Sequence, residues 1–270
     1  MSPQDVPNLI SFWPFQPVPA GDHTAVDLTA VGPYPYTLQE MNGPLGRGGE
    51  GVFGPAALCI ERGQWLCIPR EGCPALNLAG RQQVSVVAWV QRRTDNLWQY
   101  IACVWDEHNE HRQYALFTSG HKQADGRDLT RTDADHQPHG YVSDVGGATP
   151  GCKFCFSYAT GATRVEPGRW TMIGFSYNGR ALCIYTDGRL DANGACNPFS
   201  WDKPLHDAGP HTPDFTVGQR NVPSWANYPV GQPENCVGFG GLLGGLAVYD
   251  RGLGPEEFAA LYRSTLGDKP

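Results

Sequence analysis

Short apolar segments separated by glycine- and proline-rich turns run through most of this chain. The sequence has 34 Gly and 23 Pro among 270 residues. Between them lie segments such as VSVVAWVQ at 84–91 and RQYALFT at 112–118, which are rich in β-branched and aromatic residues. Asn-Gly at 178–179 and Asp-Gly at 187–188 are typical of tight hairpin turns. The pattern predicts many short antiparallel strands. It predicts one helix, which begins at Pro255 and has two glutamates in its first turn.

Composition and charge exclude several classes of protein. Disorder is excluded because aromatic residues reach 11% and charged residues are only 17%. The formal net charge is −7 with no cluster of Lys or Arg, so we expect no nucleic-acid partner. No apolar run approaches the roughly 18 residues of a membrane span, so we expect no membrane partner. The first fifteen residues lack the basic start and apolar stretch of a signal peptide, which predicts a cytoplasmic protein unless a signal was removed.

Three segments of the chain carry a family resemblance. They are VSVVAWVQRR, RWTMIGFSYNGRALCIYTDGRLD and FGGLLGGLAVYDRGLGPEEFAALY, and they span residues 84–262. In this order they resemble the laminin-G-like domains of the concanavalin A-like lectin and glucanase superfamily. The resemblance implies an all-β, concanavalin-A-like jelly-roll sandwich of two antiparallel sheets with one short C-terminal helix and a groove on the concave face. We expect a single domain over residues 1–270, with a long polar loop inserted at about 119–138.

The resemblance implies a carbohydrate-active protein, because the superfamily includes lectins, glycoside hydrolases, polysaccharide lyases and adhesion modules. We expect it to bind a polysaccharide or oligosaccharide in the groove and to cleave it by β-elimination, as a lyase. A non-catalytic glycan-binding module, a glycoside hydrolase and a protein-interaction module are the alternatives. The Glu-x-Asp-x-x-Glu motif of β-glucanases is absent, and the acidic segment WDEHNEHR at 105–112 has a different spacing. This weighs against hydrolysis.

The segment HGYVS predicts the candidate site. Strand alternation places His139, Tyr141 and Ser143 on one face, and Gly140 and Val142 on the other, apolar face. Polysaccharide lyases of this fold use an Arg or Gln that neutralises a uronate carboxylate, a His or Tyr that removes the C5 proton, and a Tyr that protonates the leaving oxygen. The motifs of known alginate lyases are not reproduced here, so only these residue types carry over. The predicted catalytic residues are His139, Tyr141, Arg112 and Tyr158, and the predicted substrate-binding residues are Gln113, Tyr114, Trp105, Ser143 and Glu107.

A lectin would use the aromatic residues differently. Trp98, Trp105 and Trp201 are candidates for stacking on sugar rings, and Glu107 or Glu110 are candidate acids or hydroxyl acceptors at the groove rim. The net charge of −7 weighs against a strongly anionic glycan unless Arg112 and Arg127 make the groove locally basic.

No cofactor is firmly predicted, and zinc and calcium are the two candidate metals. Zinc would use the tetrahedral ligand set His136, His139, Cys152 and Cys155. We do not expect it, because the order of the ligands is inverted and a large sandwich needs no metal to fold. Calcium stays open as an alternative, because loop carboxylates are suitable oxygen ligands, although they follow no fixed spacing. These carboxylates are Asp125, Asp128, Asp133 and Asp135.

The nine cysteines are an odd number, so at least one thiol lies outside any intramolecular disulfide. Cys59 and Cys67 flank the hairpin-like segment CIERGQWLC, in which a loop centred on Gly63 would place them opposite each other. Two interpretations stay open: a disulfide in an oxidising compartment, or two half-buried strand cysteines.

Overall fold

The described chain forms two antiparallel β-sheets and one helix. The computed structural model describes residues 1–18, 25–61, 63–95, 98–119, 135–152, 154–221 and 238–267. Sheet 1 has nine strands: β1 (Leu9–Trp13), β3 (Gly46–Gly48), β4 (Ala57–Ile60), β6 (Val84–Arg92), β11 (Thr171–Tyr177), β12 (Ala181–Thr186), β13 (Arg189–Leu190), β14 (Phe199–Ser200) and β16 (Gly241–Tyr249). Sheet 2 has seven: β2 (Gln39–Met41), β5 (Trp65–Ile68), β7 (Gln99–Asp106), β8 (His111–Thr118), β9 (Pro138–Val142), β10 (Tyr158–Thr160) and β15 (Phe215–Val217). The helix α1 spans Pro255–Thr265.

The strand order is far from the order of the sequence. Sheet 1 runs β13-β12-β11-β6-β16-β4-β3, with β1 paired to β16 and β14 to β12. Sheet 2 runs β10-β9-β8-β7-β15-β5-β2. The long central strands β6 and β16, more than 140 residues apart in the chain, pair along almost their whole length. The sandwich of two antiparallel sheets with one C-terminal helix, predicted from the sequence, is confirmed.

Each long strand of sheet 1 is apolar on both faces because both faces are covered. In β6, Val86 and Ala88 point between the sheets into the main core, whereas Val87 and Trp89 point to the outer face. On that outer face, Phe258 of α1 stacks on Tyr185 with ring centroids 3.9 Å apart. The indole of Trp89 donates a hydrogen bond to Thr265 Oγ1 at 2.9 Å. The helix therefore closes the outer face of sheet 1.

The predicted hairpin around Gly63 is wrong. Cys59 lies in β4 of sheet 1, and Cys67 lies in β5 of sheet 2. The chain crosses from one sheet to the other between them, because β4 pairs with β16 and β5 with β15. Both cysteines are free thiols, so the disulfide interpretation does not hold.

The N-terminal region and the predicted long loop differ from the sequence interpretation in detail. Proline-spaced segments in the first 55 residues supply β1, β2 and β3. The predicted loop at 119–138 falls mostly on residues 120–134, which lie outside the described residues, and β9 already begins at Pro138. The one helix of the described chain is too short to cross a membrane.

Candidate functional site: an aromatic pocket on sheet 2

The outer face of sheet 2 is lined with aromatic side chains. Tyr100 and Trp105 of β7, Phe117 of β8 and Tyr141 of β9 belong to one buried cluster on this face. Their neighbours along the strands, such as Val104 and Leu116, point inward to the main core. Strand alternation thus sorts aromatic residues to one face and aliphatic residues to the other.

Two bulges adjust which side chains reach this face. In the pairing of β7 with β8, Ile101 and Gln113 are each left without a directly opposite residue. The bulge at Gln113 reverses the alternation of β8, so that Arg112 lies opposite Trp105 while Tyr114 lies opposite Val104. A β-bulge commonly redirects a side chain in this way near a functional site.

A cavity of about 260 Å³ opens on this face. Its floor is aromatic. Tyr141 lies centrally, with its ring centroid 4.9 Å from that of Phe117 and 5.3 Å from that of Trp105. The residues that line the cavity are Trp98, Tyr100, Trp105, Glu107, Glu110, Arg112, Phe117, Tyr141, Ala148, Phe154, Cys155 and Arg220.

Glu107, Arg112 and Arg220 form a charged rim at the cavity. The Arg220 guanidinium is ion-paired with Glu107, and Arg112 Nη2 lies 3.8 Å from Glu107 Oε1. The guanidinium of Arg112 also lies 5.8 Å from the ring centre of Trp105, within cation–π distance. Its Nη1 donates to the carbonyl of Gly146 at 2.9 Å. Glu107 therefore compensates charge from both guanidiniums beside the aromatic floor.

Burial controls the ionisation of the cavity's phenols. Burial raises the pKa of Tyr141 well above its ordinary value, and the neighbouring Tyr158 raises it further. Burial likewise raises the pKa of Tyr100. Burial alone would lower the pKa of Arg220, but its contacts with Glu107 and Tyr100 outweigh this and raise it. At neutral pH the cavity therefore presents neutral hydroxyls, which both donate and accept hydrogen bonds, and a cationic Arg220.

The indole of Trp105 offers a further donor. Trp105 is only 2% exposed, and its buried Nε1–H has no hydrogen-bond partner among the described residues. A buried donor without a partner costs about 1–3 kcal/mol. A ligand oxygen that accepted this hydrogen bond would recover that cost.

The structure brings Tyr141, Arg112, Trp105 and Glu107 together around the cavity. The other two predicted catalytic residues lie on the same face of sheet 2, beside the cavity and not in its lining. Tyr158 is fully buried and stacks on Tyr141 with centroids 4.7 Å apart. His139 is also fully buried, does not line the cavity, and shares a 2.9 Å hydrogen bond between its Nε2 and Thr160 Oγ1. Alternation places His139 on the outer face, next to Phe117 and Tyr141.

The remaining predicted contacts lie elsewhere. Tyr114 is a core residue whose hydroxyl donates to Leu76 O at 2.8 Å. The bulge redirects Gln113, and its amide holds Asn77 and His206. Ser143 lies past the end of β9, where its Oγ accepts a hydrogen bond from Gly146 N at 2.9 Å. The polar atoms of these three residues hold neighbouring segments, and none of the three lines the cavity; their binding of substrate stays a prediction.

The four residues of the proposed zinc set, all of them described, form no metal-binding group. No group of three or more His, Cys, Asp or Glu residues suited to a metal occurs in the part of the chain that the structure describes. The residues of the zinc set differ in their environments. His136 is buried, Cys152 is exposed, and Cys155 Sγ lies 3.3 Å from Ser157 Oγ. Asp125, Asp128 and Asp133, with Arg127, lie outside the described residues, and Asp135 is ion-paired with Arg164.

Several cavity residues were missed by sequence reasoning. Tyr100 and Phe117 follow the alternation of their strands, so a strand-by-strand reading that allowed for the bulges would have found them. Arg220 follows β15 in a loop and carries no local signal; only the pairing of β15 with β7 brings it beside Glu107. Of the stacking candidates, Trp98 and Trp105 line the cavity, whereas Trp201 packs against the main core.

Comparisons with known proteins bear on the fold. No family model matches the sequence, and no curated protein matches it. Among solved structures, domain 4 of AbnA, a GH43 extracellular arabinanase from Geobacillus stearothermophilus, in complex with arabinotriose, superposes with a TM-score of 0.58 at 15% identity, covering 94% of this chain and 98% of that one.

Two larger proteins contain a similar unit. A mutant Trypanosoma rangeli sialidase that displays trans-sialidase activity matches with a TM-score of 0.53 at 13% identity, over 95% of this chain and 33% of that one. The receptor binding domain of botulinum neurotoxin C/D mosaic serotype matches with a TM-score of 0.51 at 10% identity, over 95% and 51%. At these identities the likeness concerns the fold alone. The chain folds as an all-β, concanavalin-A-like jelly-roll sandwich.

Proposed function

We propose that this protein binds a glycan in the aromatic pocket of sheet 2 and acts as a binding module. The observation that carries the proposal is the cavity itself, which combines an aromatic floor with a charge-compensated rim. Aromatic rings stack on the apolar faces of sugar rings. The guanidiniums, phenols and carboxylates provide the donors and acceptors that sugar hydroxyls require. A mainly aromatic pocket with a few converging polar groups is the usual form of a small-molecule site.

The AbnA domain supports the class of ligand. It covers nearly the whole of this chain, and its structure is a complex with arabinotriose. That ligand belongs to the arabinanase domain, and the same fold can carry other sites. We therefore take arabino-oligosaccharides as the first probes rather than as the established ligand.

Cleavage is the second candidate. Its support is the presence of Tyr141, Arg112 and Glu107 at one cavity, which keeps the lyase reaction and, through the Glu107 and Glu110 carboxylates, hydrolysis under consideration. The pKa of Tyr141 is well above its ordinary value, which suits a proton donor and not a base at neutral pH. Binding is the better-supported function because His139, one of the residues proposed as the base, is fully buried and does not line the cavity. The laminin-G-like relationship is a finer proposal, supported by the order of the three sequence segments.

The test is a titration with neutral and uronate oligosaccharides, arabino-oligosaccharides included, of the wild-type protein and Trp98→Ala. Loss of one stacking ring should weaken binding about tenfold. Tyr34→Ala is the matched control, because Tyr34 is an exposed aromatic residue that does not line the pocket. Equal loss in both variants, or no binding across the panel, would contradict the proposal. Release of reducing ends or unsaturated-uronate absorbance in the same samples would instead support cleavage.

A further inference from the structure

A second, more polar cavity lies beside the aromatic pocket. It encloses about 610 Å³. Its walls carry carboxylate, amide, hydroxyl and imidazole groups and no phenol or indole. The residues that line it are Arg70, Glu71, Asp106, Asn109, His111, His211, Thr212, Pro213, Asp214 and Asn221.

The two cavities share a wall. Along the turn that joins β7 to β8, Asp106 lines the polar cavity and Glu107 the aromatic pocket, while His111 lines the polar cavity and Arg112 the pocket. The same division recurs after β15, where Arg220 lines the pocket and Asn221, the next residue, lines the polar cavity. The backbones of Asp106 and Asn221 are joined by a β-bridge. The backbone of these three segments therefore separates the two cavities, and a ligand that reaches both must pass around that backbone.

The wall of the polar cavity is held in place by its own contacts. Asp106 accepts hydrogen bonds from the backbone N and the side-chain Nδ2 of Asn109, at 3.0 and 2.7 Å. The His111 and His211 rings stack with centroids 5.6 Å apart and planes inclined by 12°. His111 Nδ1 is buried without a hydrogen-bond partner among the described residues. The cavity wall is thus preorganised by contacts among its own residues.

We propose that the polar cavity is a second subsite of the same glycan site, so that the ligand is an oligosaccharide chain and not a single terminal sugar. This rests on the proposed function. The aromatic pocket, at about 260 Å³, lies below the roughly 300–1,000 Å³ of a usual small-molecule site, so it holds only a short part of a glycan. The following sugar units then lie across the shared wall, where hydroxyl groups meet the amides and imidazoles of Asn109, Asn221 and His211.

The experiment measures affinity against chain length. Arabino-oligosaccharides and cello-oligosaccharides, each from monosaccharide to hexasaccharide, are titrated into the wild type and into His211→Ala and Asn221→Ala. We expect wild-type affinity to rise about tenfold or more from the shortest to the longest ligand that binds. Each variant should lose several-fold in affinity for the long ligands and keep its affinity for the short ones. His108→Ala is the matched control, because His108 is exposed on the same turn and lines neither cavity.

The outcomes separate this inference from the proposed function. Wild-type affinity that does not depend on length would overturn the second subsite while leaving the pocket as a glycan site. If affinity rises with ligand length in His211→Ala and Asn221→Ala as much as it does in the wild type, the second subsite is overturned as well. Trp98→Ala should weaken ligands of every length, since the aromatic pocket anchors them all. If no glycan of any length binds, the proposed function fails and the second subsite fails with it.

Discussion

At the scale of single residues, the rings on the outer face of sheet 2 differ in whether they line the cavity. Tyr141 lines it, whereas His139 and Tyr158 lie beside it on the same face, stacked with centroids 5.2 Å apart. The His139 imidazole is held by Thr160 and by a 3.3 Å contact between Nδ1 and Gln137 O. Such a histidine orients a strand pair, because Thr160 and His139 lie opposite each other in β10 and β9.

We therefore expect His139→Gln to reduce stability without weakening the binding of a glycan. Loss of the buried hydrogen bond to Thr160 should lower the free energy of unfolding by about 1–3 kcal/mol, measured by urea denaturation. Glycan affinity should stay within about twofold of wild type, since His139 does not line the cavity. Thr160→Val removes the other partner of the same bond and is the control. A large loss of affinity, or of any cleavage activity, with unchanged stability would restore His139 as a site residue.

His136 makes stability depend on pH. Burial, together with the nearby Arg92 guanidinium, lowers the pKa of this histidine to about 4. An unfolded histidine titrates near pH 6.5. Below that pH the unfolded chain binds a proton that the folded chain excludes, so the stabilisation is present above about pH 6.5 and is lost as the pH falls towards 4.

The expected loss for this one group is about 1–3 kcal/mol between those two pH values. Urea unfolding of the wild type and of His136→Gln at several pH values measures it. The variant should lose less stability on acidification than the wild type does. Parallel curves for the two proteins would show that another group causes the acid sensitivity.

At the scale of elements, the loop after β9 positions the charged rim. Gly146 has φ +72°, a left-handed conformation that favours glycine, and a Cβ there would lie 2.1 Å from Glu110 O and 2.5 Å from His206 Nε2. Its carbonyl accepts the hydrogen bond from Arg112. Close packing at Gly146 thus links the loop, the β7–β8 turn and the rim.

Gly146→Ala should therefore both destabilise the fold and weaken the binding of a glycan. We expect a loss of about 2–4 kcal/mol, from left-handed strain and overpacking together, and a several-fold loss of affinity as Arg112 shifts. Gly151→Ala is a matched control, because Gly151 also has a positive φ, +80°, but no atom lies within 4 Å of its added Cβ. That variant should lose only about 1–2 kcal/mol. Denaturation and titration of both proteins measure the difference, and equal losses would contradict the packing argument.

The elements also show what local sequence can predict. Val84–Gln91 and the hairpin of β11 and β12 were predicted because β-branched runs and Asn-Gly or Asp-Gly turns are local signals. The bulge at Gln113 was not, since it is visible only in the register against β7. Because of this bulge, Arg112 lines the cavity while Gln113 and Tyr114 do not. The crossing between Cys59 and Cys67 was missed because a turn at Gly63 has the same sequence pattern whether its strands pair or separate.

At the scale of the whole molecule, the two outer faces of the sandwich have different roles. Helix α1 closes the outer face of sheet 1, where Phe258 and Leu261 are fully buried. The outer face of sheet 2 carries the aromatic pocket. The sequence predicts that a groove exists, through the family resemblance, and it supplies Tyr141, Trp105, Arg112 and Glu107. It does not predict Arg220, because only the complete sheet order brings that residue to the rim.

The net charge of the protein and the charged groups at the pocket predict which class of glycan binds. The protein carries a formal charge of −7, which repels anionic polymers at long range. At the pocket, Glu107 contacts the guanidiniums of Arg112 and Arg220, and Glu110 also lines the cavity. Two carboxylates therefore balance two guanidiniums, and a uronate carboxylate would have to displace Glu107 to pair with them. We expect neutral oligosaccharides to bind at least about tenfold more tightly than oligogalacturonides, a difference of about 1.4 kcal/mol. Titration with both ligand classes at low and at high salt measures this.

The salt dependence of affinity tests the same charge argument. Affinity for neutral ligands should change by less than about twofold as NaCl rises from about 50 to about 500 mM, because a neutral ligand makes no charge–charge interaction with the protein that salt could screen.

Glu107→Gln should raise the affinity for oligogalacturonides, since the Glu107 carboxylate no longer pairs with the two guanidiniums and leaves them free to bind a uronate carboxylate. Asp202→Gln is the control, because Asp202 is an exposed acidic residue that lines neither cavity. A wild-type preference for the uronate ligand would mean that Arg112 and Arg220 exchange Glu107 readily, and would return an anionic polysaccharide to consideration.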